Sequence, residues 1–208
     1  MNVYAESNFV LELVLEQEQH ASCEMLVSMA EREDVTLVLP AFSLFEPFTT
    51  LYRRQRERND LHDRVQRELA QLARTKTLAT EVSAISLPAL LVRSTQAAAS
   101  RFNDVLGRRL RIAQVIPLTD KVLEAARAAC ASYGFDLPDG IVFASVAADL
   151  ATRAASDSCF LNRNTKDFAD PAIVTALSAR GCKMMGSFDA GVNFISTQAK
   201  RAGTAPLE

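Results

Sequence analysis

The 208-residue chain has no tryptophan, two histidines, seven glycines and seven prolines. So little glycine and proline excludes a collagen-like or linker-type chain. Two histidines leave little material for a histidine-based metal site or a Ser-His-Asp triad. No run of about 18 apolar residues occurs, so we expect no membrane-spanning helix and no membrane partner. The first residues lack the basic and apolar segments of a secretory signal, so we expect a cytoplasmic protein.

Cysteine pairs and nucleotide-binding motifs are also missing. The four cysteines lie far apart and form no C-x-x-C pair. This spacing favours reduced thiols in a cytosol and argues against both a structural zinc site and a disulfide framework. The chain has neither the GxGxxG motif of dinucleotide-binding folds nor the GxxxxGK[ST] motif of P-loop enzymes. It also lacks the Asp-x-Asp motif expected of a magnesium-dependent phosphatase, which makes that class a poor alternative.

The net charge of −2 conceals a charge asymmetry. Residues 53–111 contain thirteen Lys and Arg against six Asp and Glu, a net of +7, and the rest of the chain carries −9. A basic middle segment of this kind fits a surface that meets a polyanion. It equally fits a solvated helix face with many arginines. Both interpretations stay open from the sequence alone.

Short apolar runs alternate with helical stripes along the chain. The apolar runs predict five strands, at 2–6, 35–39, 112–116, 158–162 and 182–185. Such alternation predicts an α/β fold, a three-layer sandwich with a central parallel sheet and helices on both faces. Residues 41–110 are too long for one crossover helix. We therefore predict a single domain over 1–200 with a helical insertion at about 55–110, and a C-terminal tail at 201–208.

Three acidic residues lie where this fold would bring them together. Glu6 ends the first strand, Glu46 follows the second strand within the apolar stretch 42–48, and Asp139 begins a helix after Pro138. In open parallel sheets, ligands bind outside the carboxyl ends of the strands. A carboxylate in apolar surroundings is costly unless it is paired or bound to a metal. Because carboxylate oxygens suit Mg²⁺ and Mn²⁺, we expect these three acids to converge on such an ion.

Each acid taken alone has an ordinary interpretation. Glu6 fits a solvated strand end, and Glu46 fits an ion pair with Arg53 on the same helix. Asp139 fits a helix-start acid that the helix dipole favours, and Asn8 fits a helix cap. The metal-site hypothesis therefore rests on the three acids as a set.

Four segments, in the right order, resemble the motifs of PIN domains. They are residues 3–11 (VYAESNFVL), Glu46 after the second strand, residues 137–144 (LPDGIVFA) and residues 160–168 (FLNRNTKDF). Glu6 stands where the family usually has Asp. Asn164 stands where it often has Asp, and one extra residue precedes Lys166. The resemblance spans residues 1–54 and 119–196 and leaves the middle of the chain uncovered.

The resemblance implies a metal-dependent nuclease, in particular an endoribonuclease that hydrolyses RNA phosphodiester bonds with Mg²⁺ or Mn²⁺. Many members of the family are toxins of bacterial toxin–antitoxin pairs. The implied catalytic residues are Glu6, Glu46, Asp139 and Asp167. The implied metal ligands are Glu6, Glu46, Asp139 and Asn164. Substrate contacts are expected from Asn8, Arg53, Arg54 and Arg163.

Several partners follow from the same interpretation. Single-stranded RNA is the expected substrate, because unstacked bases enter a cleft more easily than a duplex. The same interpretation also allows an antitoxin protein as a partner, and a second copy of the chain in a homodimer. The alternative function is a catalytically attenuated PIN-like module that binds RNA or protein without cutting, which the replacement at Asn164 suggests.

Overall fold

The computed structural model describes residues 1–153 and 157–203. The chain divides into two compact units, one formed by Met1–Pro47 with Val105–Glu208 and the other by Phe48–Asp104. The first unit contains the sheet and the second is helical. Within the described residues, no helix is long and apolar enough to cross a membrane.

The first unit is built on five strands that all run parallel. They are β1 (Asn2–Ala5), β2 (Thr36–Pro40), β3 (Gln114–Ile116), β4 (Ser158–Leu161) and β5 (Cys182–Met185). Their order across the sheet is β3-β2-β1-β4-β5. The chain therefore winds outward from β1 on one side, then returns to pair β4 with the other side of β1. The predicted α/β class with a central parallel sheet is confirmed.

Ten helices connect and flank these strands in the described residues. They are α1 (Ser7–Leu15), α2 (His20–Glu31), α3 (Ala41–Leu72), α4 (Ala79–Ser83), α5 (Leu87–Ile112), α6 (Asp120–Tyr133), α7 (Leu137–Thr152), α8 (Thr165–Phe168), α9 (Pro171–Ser178) and α10 (Phe188–Gly203).

The central strands β1, β2 and β4 are buried on both faces, which is why their sequences are mostly apolar. On one face Tyr4, Val38 and Phe160 pack into a cluster with Phe143 of α7 and Ile173 of α9. On the opposite face α2 contacts β2, and α10 contacts β4 and β5. This arrangement of helices, sheet and helices is compatible with the predicted three-layer sandwich.

The helix ends of the first unit follow local capping rules, with one difference from expectation. Thr119 caps α6 by accepting from the Val122 N–H at 3.3 Å, and Gly134 ends the helix with a φ of 73°. Asn8, which fits a helix cap in the sequence, does not cap α1. Glu6 takes that position instead, because its longer side chain reaches the Asn8 N–H.

The predicted strand over 112–116 is too long at its start. Helix α5 continues to Ile112, and β3 begins only at Gln114. At the C-terminus α10 runs to Gly203, so residues 201–203 of the predicted tail 201–208 are helical. Residues 204–208 of that tail lie outside the described residues.

The second unit is a hairpin of long helices. Residues 48–58 of α3 face residues 95–103 of α5, and Phe48 and Phe102 contact each other with ring centroids 6.1 Å apart. Further along, residues 66–73 face residues 82–89. The extent of this unit, Phe48–Asp104, overlaps the insertion predicted at about 55–110.

Candidate active site

Four elements deliver the predicted acids to one edge of the sheet. Glu6 directly follows β1, and Glu46 lies in the second turn of α3, which starts where β2 ends. Asp139 lies in the first turn of α7, and Asn164 follows β4. Because β1 lies between β2 and β4, this edge is the point at which the chain reverses its winding direction. Parallel α/β sheets place their ligands at such a switch point.

Glu6 is a buried carboxylate held by amide groups, and only 6% of its surface is exposed. Its Oε2 accepts from the Asn8 main-chain N–H at 2.8 Å, and its Oε1 accepts from the Arg163 main-chain N–H at 3.4 Å. Burial raises the pKa of Glu6 to about 7, and the negative charge of Glu46 adds to the rise. The Asn8 and Arg163 donors offset part of this shift, since they favour the charged form.

Glu46 is linked to the end of β1 through the hydroxyl group of Ser7. The Ser7 Oγ donates a hydrogen bond to Glu46 Oε2. Ser7 is the first residue of α1, next to Glu6, and is itself buried. The hydrogen bond therefore ties the carboxylate of α3 to the end of β1.

Asp139 has neighbouring acids on several sides. The pKa of Asp139 is raised to about 6, chiefly by burial and in addition by the negative charges of Asp136, Asp167 and Glu46. The Asn164 side chain opposes the rise by donating from Nδ2 to Asp139 Oδ2 at 2.9 Å. Asn164 thus places a neutral donor beside Asp139 where an aspartate would place a second negative charge.

The acids therefore form one electrostatic cluster. Glu46 raises the pKa of both Glu6 and Asp139, so its charge is felt by the other two. Asp167 is exposed and also acts on Asp139. The charges of Glu46 and Asp167 thus reach Asp139, and Asn164 is hydrogen-bonded to it. The predicted convergence of these acids on one metal ion stays a prediction. Their roles as catalytic residues and metal ligands stay predictions.

The predicted substrate-binding residues lie in different surroundings. The main-chain N–H of Asn8 donates a hydrogen bond to the Glu6 carboxylate within the cluster. The Arg163 guanidinium forms an ion pair with Glu12 and lies 3.7 Å from Glu18, so this side chain is partly committed to the protein itself. Arg53 and Arg54 belong to the helical unit.

Several residues around the cluster were not predicted as site residues. Ser7 holds Glu46, and Asp136 caps α7 while adding its charge beside Asp139. The buried Glu12 holds Arg163 and also accepts from the Gln19 N–H at 2.8 Å. Glu12 could have been found from the sequence, since it is the one charged residue of the mostly apolar α1. Ser7 could not, because a serine at a helix start suggests an ordinary cap.

The cluster supplies oxygen donors suited to a hard divalent cation. Glu6, Glu46 and Asp139 offer carboxylates, and Asn164 offers an amide oxygen, which is the ligand chemistry of Mg²⁺ and Mn²⁺. Among the residues that the structure describes, no three or more His, Cys, Asp or Glu side chains are already gathered into a metal-holding group. The donor types fit the ion, and a metal would have to draw the carboxylates closer together.

Comparison with protein-family models, with curated proteins and with solved structures finds no match for this chain.

Proposed function

We propose that this chain is a metal-dependent endoribonuclease with a PIN-like site, which hydrolyses RNA phosphodiester bonds. The observation that carries the proposal is the cluster formed by Glu6, Glu46 and Asp139 at the switch point of a parallel sheet. The pKa values of Glu6 and Asp139 are raised by burial and by neighbouring negative charge. Strongly shifted acids gathered at a ligand-binding edge are characteristic of functional sites.

The electrostatic cost of the cluster supports a cation as its partner. Burial and mutual repulsion both disfavour the ionised carboxylates, and the donors to Glu6 and Asp139 are neutral amides. A divalent cation offsets both the cost of burial and the repulsion, since it replaces lost hydration and attracts each carboxylate. Glu6, Glu46 and Asp139 would hold Mg²⁺ or Mn²⁺, with the Asn164 side-chain oxygen as a further metal ligand.

When bound, such an ion supplies positive charge for the phosphodiester and makes an attacking water more acidic. The chain's own residues then fix the geometry. Ser7 orients Glu46 through its hydroxyl, and the Asn8 and Arg163 amides orient Glu6. Asp167, which is exposed and acts electrostatically on Asp139, would accept the proton of the attacking water.

The substrate class follows from charge and shape. Arg53 and Arg54 lie on α3, the helix that also carries Glu46, and each suits a backbone phosphate. Single-stranded RNA fits best, because its flexible backbone can be drawn into a cleft. A toxin role with an antitoxin partner, and a cytoplasmic location, belong to this proposal through the PIN-like resemblance.

The deciding experiment is single-turnover cleavage of labelled single-stranded RNAs with Mg²⁺ or Mn²⁺ and with EDTA. Asp139→Asn keeps the side-chain shape and removes one ligand charge. We expect cleavage by the wild type to stop in EDTA and to fall by several powers of ten in the variant, since several kcal/mol of transition-state stabilisation are lost.

Asp120→Asn is the matched control. Asp120 also lies in the first turn of a helix, and it is exposed and outside the cluster. We expect it to cleave at the wild-type rate, with both variants folded by circular dichroism. A wild type no faster than Asp139→Asn on every RNA tested, at saturating metal, would refute the nuclease.

One observation favours a second function, an attenuated PIN-like module that binds RNA or protein without cutting. Asn164 supplies a neutral amide where the motif often has an acid, and it is hydrogen-bonded to Asp139. A cluster with one carboxylate fewer holds a cation less tightly. RNA binding with no metal-dependent cleavage, followed by cleavage in Asn164→Asp, would select this function.

A further inference from the structure

The helical unit contains a cavity between α3 and α5 that the acidic cluster does not use. Its volume is about 140 Å³. The apolar part of its wall includes Leu51, Ala98 and Ala99, together with the aromatic rings of Phe48, Tyr52 and Phe102. Phe48 and Tyr52 are more than half exposed, and Phe102 is buried. The cavity is thus a small aromatic-lined space with access from the surface.

The polar part of the wall carries positive charge. Arg54 and Arg58 both line the cavity and are half-buried. They lie four residues apart, so they share one face of α3. Neither has an acidic partner among the described residues, and no acid lines the cavity. An anion beside an apolar group is the complementary ligand.

Thr95 adds a hydrogen-bonding requirement at the same wall. Its hydroxyl is buried and has no hydrogen-bond partner within the described part of the chain. A buried polar group without a partner is costly, and a ligand with polar edge atoms can satisfy it.

We propose that this cavity binds one unstacked pyrimidine nucleotide of a single-stranded RNA, with the base inside and a phosphate on Arg54 and Arg58. An engineered cavity of about 150 Å³ accommodates benzene, so a space of this size takes one six-membered ring rather than a purine. The aromatic side chains supply stacking surfaces. The proposal rests on RNA as the substrate class proposed above, and it adds a base preference.

The first test compares affinities without catalysis. Fluorescein-labelled hexauridylate and hexaadenylate are titrated in EDTA and followed by anisotropy. We expect the wild type to bind hexauridylate at least about fivefold more tightly than hexaadenylate. This ratio corresponds to the lower end of the affinity that stacking one base on an aromatic ring contributes. The alanine methyl NMR signals of Ala98 and Ala99 should shift with uridine 5′-monophosphate and shift less with uridine or inorganic phosphate.

Two variants examine the cavity itself. Ala99→Phe fills the space from an exposed position, and we expect it to abolish the preference for hexauridylate. Gln96→Phe adds the same ring to an exposed position of α5 outside the cavity, and the preference should remain.

The charge at the rim has its own matched control. Arg54→Gln with Arg58→Gln should weaken hexauridylate binding more than Arg64→Gln with Arg67→Gln, which removes equal charge from exposed positions of α3 outside this cavity. Equal losses in the two pairs would show a diffuse charged surface instead.

The outcomes separate this inference from the nuclease. Metal-dependent cleavage with equal affinity for both RNAs, unchanged by Ala99→Phe, would overturn the cavity and leave the nuclease standing. If the wild type binds pyrimidines but does not cleave RNA, and Ala99→Phe loses this binding, the cavity proposal would stand and the nuclease would be overturned. A concentration-dependent dimer that Ala99→Phe dissociates, with no change in RNA affinity, would show that a second copy occupies the cavity and would overturn the proposal.

Discussion

Glu6→Gln should make the metal-free protein more stable at alkaline pH. The pKa of Glu6 is raised from 4.5 to about 7 in the folded protein. Above pH 7 the folded state therefore holds an ionised carboxylate at a cost on the order of 3 kcal/mol, at about 1.4 kcal/mol per pKa unit. Glutamine removes that cost while keeping nearly the same shape.

The substitution also loses one favourable contact. Glu6 accepts from two main-chain N–H groups, at Asn8 and Arg163, and an amide has only one oxygen. Leaving one buried donor without an acceptor costs on the order of 1 kcal/mol. The expected gain in the free energy of unfolding at pH 8 is therefore about 2 kcal/mol. At pH 4.5, where the folded wild type holds a neutral Glu6, the variant should be the less stable protein.

The sign of the pH dependence follows from proton linkage. The folded state keeps its proton on Glu6 up to about pH 7, whereas the unfolded chain releases it near pH 4.5. The folded state thus binds more protons in this window, so this group makes wild-type stability fall as the pH rises from 4.5 to 7. Urea unfolding in EDTA at half-unit pH steps measures the effect, and added Mg²⁺ should reduce the loss.

Glu12→Gln is the matched control for this experiment. Glu12 is equally buried and lies on α1, but it is paired with the Arg163 guanidinium. Removing its charge leaves Arg163 with only the exposed Glu18, 3.7 Å away, as an ion-pair partner. The variant should therefore be less stable at pH 8, on the order of 2 kcal/mol. If Glu6→Gln also destabilises the protein at pH 8, the electrostatic account of the cluster is wrong.

Three further predictions concern the site, the packing and the basic segment. Asn164→Asp should bind Mn²⁺ more tightly by electron paramagnetic resonance and be less stable in EDTA, because Asp139 exchanges an amide donor for a like charge; equal Mn²⁺ affinity would remove Asn164 from the ligand set. Gly140→Ala should destabilise the protein by about 1–3 kcal/mol, since its Cβ would lie 2.6 Å from Cys130 Sγ. Gly107→Ala is the control, because this helical position has open space around the added Cβ. It should raise the free energy of unfolding, measured by thermal unfolding, by up to about 1 kcal/mol. A loss of stability as large as that of Gly140→Ala would contradict the packing explanation. Replacing Arg53, Arg54 and Arg56 of α3 together with alanine should make the salt dependence of RNA binding less steep. The log–log slope should fall by about 0.7 per lost phosphate contact, and an unchanged slope would show that these arginines form only a solvated helix face.

The parallel sheet could be predicted because its strands are buried on both faces. Residues 36–40 and 158–161 are mostly apolar and follow segments that contain charged residues, so their pattern is visible in the sequence. The error at residues 112–116 has the opposite cause. The short edge strand β3 exposes two of its three residues, which leaves little pattern to separate it from the end of α5. The pairing of β1 with β4 joins distant segments, and nothing local in either one specifies it.

The positions of Glu6, Glu46 and Asp139 in the fold could be predicted because the strand-end rule places them independently of side-chain detail. Their partners could not. The bond from Asn164 to Asp139 and the ion pair from Arg163 to Glu12 both depend on how the loop after β4 meets other elements. Arg163 suggested a phosphate ligand from its position in the fourth motif, whereas in the fold its guanidinium meets a buried carboxylate.

The position of β1 in the middle of the sheet has a consequence for synthesis on the ribosome. Its partner β2 follows after about thirty residues, but β4 is made only after more than a hundred further residues have emerged. At about 5–20 residues per second, one side of the first strand waits on the order of ten seconds without its neighbour. The acidic cluster includes Asn164 in the loop after β4, so the nascent chain completes this cluster only after that loop has emerged. In the proposed nuclease, that order of events delays activity while the first four strands are made beside messenger RNA.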